Sequence, residues 1–259
     1  MTFPTIPTAG ASRVLFTNAV GASGTRTFPN LSSLTKNSGD LLIAIVAAYQ
    51  SSATANTVWS SWGGSFTEFG DFSTTTTVAI GCAYKWSTGS ETGTFTVTEA
   101  ATVTGGASMC LMSIPGAHAS TPPEAGSYAT SAAGTSNPAS FDPAGWAAED
   151  TLWIAVAASG ETSATGSWTG VTSAPTNYGS YADAATADTS TIGEIEIAVA
   201  FRQLNASSED VGAFTMDTSN ARDAAITIAV RPAPDPPILA AFANTKVIDA
   251  QSVVMGAFF

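Results

Sequence analysis

The sequence predicts an all-β protein: a jelly-roll-like antiparallel β-sandwich built from two tandem sequence repeats, with an extended arm at each end. Three observations predict it. Charged residues are only 11 % of the chain, against a usual share of about 25 %. Thr, Ser, Ala and Gly fill the difference. Thr favours strands and Gly favours turns, while the helix formers Lys, Glu and Arg are scarce. Apolar residues follow period two, the strand signature, and one ordered set of strand-like blocks occurs twice.

In chain order, residues 1–11 carry Pro4, Pro7 and Gly10 and read as an N-terminal arm. The first repeat is assigned to 12–125 and the second to 126–234. Thr27-Phe28-Pro29 corresponds to Ser140-Phe141-Asp142-Pro143. Gly39-Asp40 and the apolar run Leu41–Ala48 correspond to Glu149-Asp150 and the run Thr151–Ala158. Both runs are apolar on both faces, so they belong in the centre, covered on two sides. A Ser/Thr-rich loop and a Trp come next, Trp62 or Trp168, then Phe69-Gly70 or Tyr178-Gly179.

Val78 to Lys85 then matches Ile195 to Arg202. Here Ile195, Ile197, Val199 and Phe201 point one way, and Glu194, Glu196, Ala198 and Arg202 the other. Cys82 falls at the position of Val199, which predicts a packing role for a buried free thiol. Phe95-Thr96-Val97 matches Phe214-Thr215-Met216, and Met109–Gly116 matches Ile226–Ala233. Ser23-Gly24, Ser38-Gly39, Gly63-Gly64 and Gly105-Gly106 mark turns. Four prolines in Pro232–Pro237 make a stiff spacer. The tail 235–259 is apolar and is expected to anchor the protein to a partner through Ile238, Leu239, Phe242, Val253, Val254, Met255, Phe258 and Phe259.

Net charge is −12, and the few Lys and Arg are dispersed. Duplex binding needs clustered cations to neutralise phosphates, so nucleic acid is not an expected partner. An anionic membrane is disfavoured for the same reason. Met1–Phe16 lacks a basic segment followed by an apolar core, so synthesis in the cytosol is expected. Reduced thiols at Cys82 and Cys110 fit that compartment.

The sequence offers little chemistry. The lone histidine, His118, follows a strand end and reads as a loop residue. No nucleophile elbow or phosphate-cradling loop is present. One His and two distant Cys do not make a zinc site. Asp217–Asp223 has oxygen ligands for calcium but reads as a hairpin turn. Glu68 with Asp71, or Glu91 with Glu99, are the carboxylate pairs a glycosidase would need. We therefore expect no catalytic residue, cofactor or metal. Trp59, Trp62 and Trp168 are candidates for glycan binding, because an aromatic face offers sugars a flat apolar platform. The recurrence of Trp at matching points of both repeats favours a framework role instead.

The blocks resemble β-rich accessory virion proteins of tailed bacteriophages, a minor tail or capsid decoration family. The resemblance is carried by Gly39-Asp40-Leu41-Leu42, Trp62, Tyr84-Lys85, Phe95-Thr96-Val97-Thr98, Ile114-Pro115-Gly116-Ala117 and Ala229-Val230-Arg231-Pro232-Ala233, and spans about residues 12–233. It implies a jelly-roll-like sandwich without catalytic residues, placed on the particle exterior. The expected partners are then other virion proteins (a major capsid or tail protein) and copies of the chain, and the expected location is the virion, assembled in a bacterial cytoplasm. A minor tail adhesin contacting host-surface glycan is the alternative; a glycoside hydrolase is the third.

Overall fold

The computed structural model describes residues 1–18, 24–49, 59–73, 78–99, 105–131, 134–161, 170–185, 193–216 and 222–235. Within them every regular element is a strand or a single 3₁₀ turn. The N-terminal half supplies β1 (Arg13–Asn18), β2 (Thr25–Asn30), β3 (Ser38–Tyr49), β4 (Trp59–Trp62), β5 (Thr67–Ser73), β6 (Val78–Thr88), β7 (Thr94–Glu99) and β8 (Ala107–Ile114). They form a five-stranded sheet in the order β1-β8-β3-β6-β5 and a three-stranded sheet in the order β2-β7-β4. All pairs are antiparallel, and they are nested: β1 with β8, β2 with β7, β3 with β6.

The C-terminal half supplies β9 (Glu124–Ala125), β10 (Ala129–Ser131), β11 (Thr135–Ser136), β12 (Glu149–Glu161), β13 (Val171–Ser173), β14 (Gly179–Ala185), β15 (Glu194–Ala206), β16 (Phe214–Met216) and β17 (Arg222–Val230). Its large sheet runs β10-β17-β12-β15-β14 and its small sheet β11-β16-β13. Strand for strand, these are the orders of the first half. β9 adds to β17 beside β10, so the two form one interrupted edge strand. The stretch around Glu124, assigned from sequence to the first repeat, thus pairs with the second half.

The long central strands explain the layering. β3 is apolar on both faces and buries both. Leu41, Ile43, Ile45 and Ala47 meet Leu152, Ile154, Val156 and Ala158 of β12 in one core shared by the two large sheets. The alternate residues Leu42, Ala44, Val46 and Ala48 lie under Phe28, Phe95 and Val97 of the first small sheet. Trp153, Ala155 and Ala157 of β12 lie likewise under Val171, Phe214 and Met216 of the second. The body therefore has four layers: small sheet, large sheet, large sheet, small sheet. Across the middle, β1 lies against β14, β8 against β15, β3 against β12, β6 against β17 and β5 against β9. Each cross-contact has a counterpart with the halves exchanged, as in an isologous interface.

The sheet register corrects several sequence matches. Ile43 pairs with Tyr84 and Met112. Ile154 pairs with Phe201 and Ile228. Ile43 therefore corresponds to Ile154 and Met112 to Ile228, each one residue off the sequence match. A slip of one residue exchanges the two faces of a strand. Matching on Asp40 with Asp150 caused the slip in β3, because β3 shifts register between Ser38 and Leu41 whereas β12 pairs without a shift from Glu149 on. Trp62 faces Val97 and Val171 faces Met216, so the counterpart of Trp62 is Val171 and not Trp168. Likewise Gly70 and Ala182 share a frame, as do Asp71 and Asp183.

The two ends of the body differ. At one end β3 and β12 begin and β8 and β17 finish. There Ala117 bridges to Pro232 and His118 N–H donates to the Arg231 carbonyl at 2.9 Å. The N-terminal arm crosses this end: Thr5 N–H donates to the Pro115 carbonyl at 2.9 Å and Gln203 Nε2 donates to the Pro4 carbonyl at 2.8 Å. The arm is thus a strap joining both halves. The strand ends leading into 19–23, 50–58, 74–77, 100–104, 132–133, 162–169, 186–192 and 217–221 all lie at the far end. There Tyr49 is clasped between the halves. A Cβ on Gly105 would stand 2.5 Å from the Tyr49 side chain, and one on Gly193 2.1 Å from it. Only glycine leaves the ring that room.

Candidate functional sites

Trp59 starts β4 and is buried to 2 % exposure; Trp62 ends it and is half-buried. Their ring centroids are 6.1 Å apart, and Trp62 lies 6.2 Å from Phe95. Both indoles sit over Gly81 of β6, where a Cβ would stand 2.4 Å from Trp59 and 2.9 Å from Trp62. Trp62 Nε1 donates to Glu68 Oε2 at 2.7 Å, and Trp59 N–H donates to Asp71 Oδ2 at 3.3 Å. Glu68 and Asp71 therefore support the Trp pair from the edge strand β5. Of Trp59 and Trp62, only Trp62 reaches solvent, with exposed Glu68 beside it. Trp168 lies outside the described residues.

Glu91 and Glu99 stand at opposite ends of β7 and do not form a pair. Glu91 closes a turn, accepting from Thr88 N–H at 2.6 Å and from Ser87 Oγ at 2.9 Å. Burial pushes its carboxyl up, but these donors outweigh burial and hold it at about 2. Glu99 binds buried Arg26 at 2.8 Å. Burial pushes Glu99 up to about 7 against the pull of that guanidinium.

The second half holds carboxylates that the sequence left on one face without a partner. Glu194 and Glu196 of β15 are each 3 % exposed, because the small sheet covers the face they share with Ala198. Glu196 Oε2 accepts from Val171 N–H at 2.9 Å, and Asp183 of β14 acts on it from the neighbouring strand. Tyr181 Oη donates to the Val171 carbonyl at 2.8 Å. Burial, then Asp183, raise Glu196 to about 7 against the backbone donors. Asp223 of β17 accepts from Ser159 Oγ at 2.7 Å and is raised by burial. Alternation in 194–202 marked the face; nothing in the sequence marked that it is covered.

His118 Nδ1 accepts from Thr121 N–H at 3.1 Å and Ser120 N–H at 3.3 Å, which pins the link between the halves. Cys82 and Cys110 are free and buried, both opposite Ile45. Burial raises both thiols, which removes them from nucleophilic work at neutral pH. Among the described residues no group of His, Cys, Asp and Glu is arranged to hold a metal ion. Of the Asp217–Asp223 segment, 217–221 lie outside the described residues. The tail residues Ile238, Leu239, Phe242, Val253, Val254, Met255, Phe258 and Phe259 also lie outside them.

Charge is distributed unevenly. Arg26, Lys85, Arg202 and Arg231 each meet a carboxylate, at Glu99, Glu91, Glu209 and Glu149. Lys36 caps the carbonyls of Leu31 and Leu34. Arg13 is buried between the halves, donating to the Ser180 carbonyl, its guanidinium 5.1 Å from the Phe201 ring centre. The cations whose side chains are described, Arg13, Arg26, Lys36, Lys85, Arg202 and Arg231, thus meet groups of the chain itself. Comparison with protein-family models, with curated proteins and with solved structures gives no match.

Proposed function

We propose that the chain is a non-enzymatic structural protein on the exterior of a tailed-bacteriophage virion, built as a duplicated jelly roll and fixed to the particle through its ends. The nested pairings β1/β8, β2/β7 and β3/β6, repeated in the second half, support a duplicated jelly roll, a long hairpin rolled into two sheets. The observation that carries the attachment is the meeting of the termini. The Met1 ammonium contacts Asp235 at 2.7 Å, so the N-terminus and the root of the tail 236–259 share one end of the body. The far end is then the outward one. Small polar connections suit a solvent-facing surface, and Ser, Thr and Ala dominate those that leave there. Capsid decoration and a place on the tail share this geometry; the compact body, without a fibrous repeat, favours decoration. Cations engaged within the chain agree with partners other than nucleic acid or an anionic membrane.

A chain ending at Pro234 tests the reading. It folds, but it fails to enter particles; normal incorporation sinks the anchoring role of the tail. A second reading, an adhesin for host glycan, rests on solvent-reaching Trp62 beside Glu68. A blank glycan array, or Trp62→Ala with adsorption intact, removes it.

A further inference from the structure

We propose that the second half carries a proton-operated clasp on its edge strand: a proton shared by Glu196 and Asp183 holds the end of β14 on β15, and its loss releases that end. The placement comes from register. Asp183 pairs with Ala198, and Ala185 pairs with Glu196. Asp183 and Glu196 are therefore diagonal neighbours on one face, close enough for side-chain contact. Asp183 raises Glu196 through its charge and through side-chain contact. Ionised carboxylates only accept, so a hydrogen bond between the two requires one of them to keep its proton.

The surroundings decide which acid yields. On its own strand Glu196 has Glu194 as same-face neighbour. From β14 it meets Asp183, which also bonds to Tyr181. From β12 it faces uncharged Ser159, which is committed to Asp223 of β17. From β13 it receives the Val171 N–H, and β16 brings only apolar Met216 and Phe214 to this core. Among the described residues no cation acts on it. When the proton leaves, a buried Glu196 carboxylate stands beside the Asp183 carboxylate, and they repel. The backbone donors keep ionised Glu196 in place. Asp183 is exposed on an edge strand, so Asp183 swings to solvent and the end of β14 goes with it. Burial sets Glu196 to release its proton at about 7.

The first half is the built-in control. Asp71 is the counterpart of Asp183, but the frame of Glu196 holds Ala79. Asp71 instead accepts from Trp59 N–H, so β5 has no clasp. The clasp does not depend on the virion reading.

Amide hydrogen exchange on the full chain, corrected for the intrinsic rate, tests it between about pH 5.5 and about pH 8.5. Protection over 182–185 is expected to fall about tenfold across that range, on the scale of one pKa unit, while 70–73 stays level. Glu196→Gln, whose amide still donates to Asp183 and never ionises, holds protection at both extremes. Level protection of 182–185 in the natural chain, or an equal fall in Glu196→Gln, overturns the clasp. Carboxyl NMR on the natural chain decides independently of whether the variant folds: Glu196 titrates near 7, and a midpoint at the ordinary carboxylate value overturns the proposal.

Discussion

The two halves share one strand order but fill the far end of their outer cores differently, the first with a Trp pair beside the buried Arg26–Glu99 ion pair and the second with buried acids. In the first half, Gly81 and Ala79 make room for Trp59 and Trp62. In the second, Ala198 and Glu196 stand in those frames, and Asp183, Tyr181 and Asp223 complete a polar cluster. The centre of the face shared between the halves diverges less, with Ile43 and Ile154, Ile45 and Val156 in matching frames. The difference teaches where this framework tolerates change. A residue in the shared core must suit two large sheets at once, whereas each outer core answers only to its own small sheet.

The strongest way to break that comparison is to probe the shared core from both sides. Ile43→Ala and Ile154→Ala are each expected to cost about 2–5 kcal/mol, and each to lower one common urea transition. Two separate transitions, with each variant moving only one, would show that the halves are independent. Next in size is pH. Glu196, raised to about 7, holds a proton when folded that it lacks when unfolded above the ordinary carboxylate value. Stability therefore falls as pH rises from about 4.5 to about 7 and is level above, by about 3 kcal/mol for this group. Buried Glu99, also raised, contributes with the same sign. Chemical denaturation at stepped pH should show a shallower fall in Glu196→Gln; an unchanged slope would remove the second half's acidic signature.

Gly81→Ala sharpens the contrast from the first half. Its new Cβ would stand 2.4 Å from Trp59, so overpacking of about 2 kcal/mol is expected. The reciprocal Ala198→Gly should cost about 1 kcal/mol or less, through backbone entropy. Equal costs in thermal melts would mean the two frames are packed alike. The smallest effect is expected at Arg13, buried at the junction against Phe201 and the Ser180 carbonyl. Arg13→Met keeps the length and removes a buried charge, so stability should change by less than about 1 kcal/mol, in either direction. A large loss would give the guanidinium a role in holding the halves together.

Much of the fold was legible in the sequence. Alternation placed Ile195, Ile197, Val199 and Phe201 on one face, and all of them line the shared core. The doubly apolar runs at 41–48 and 152–158 predicted central strands covered on both sides, as β3 and β12 are. The same apolarity hid their register. A strand without a polar face has nothing to fix its phase, and matching Asp40, at a register shift, with Asp150, in a regular ladder, pulled the comparison off by one. The candidate sites were less legible. Trp59 and Trp62 look alike in sequence, but only the sheet shows that Gly81 admits one of them to the core. Glu196 carried no sign of burial, because the strands that cover it come from distant parts of the chain. The strap made by the arm was equally hidden, since its partners are Pro115 and Gln203.

The shared core also sets the order in which the protein can be finished during synthesis. The first half can close its own small sheet once β8 has emerged, but the face carrying Leu41, Ile43, Ile45, Ile80 and Met112 stays uncovered until β12, β15 and β17 follow. Contacts of such long sequence separation form late and leave apolar surface open to other chains. A ribosome stalled between the halves would therefore hold an aggregation-prone intermediate, and neighbouring nascent first halves would have in one another the nearest imitation of the missing partner.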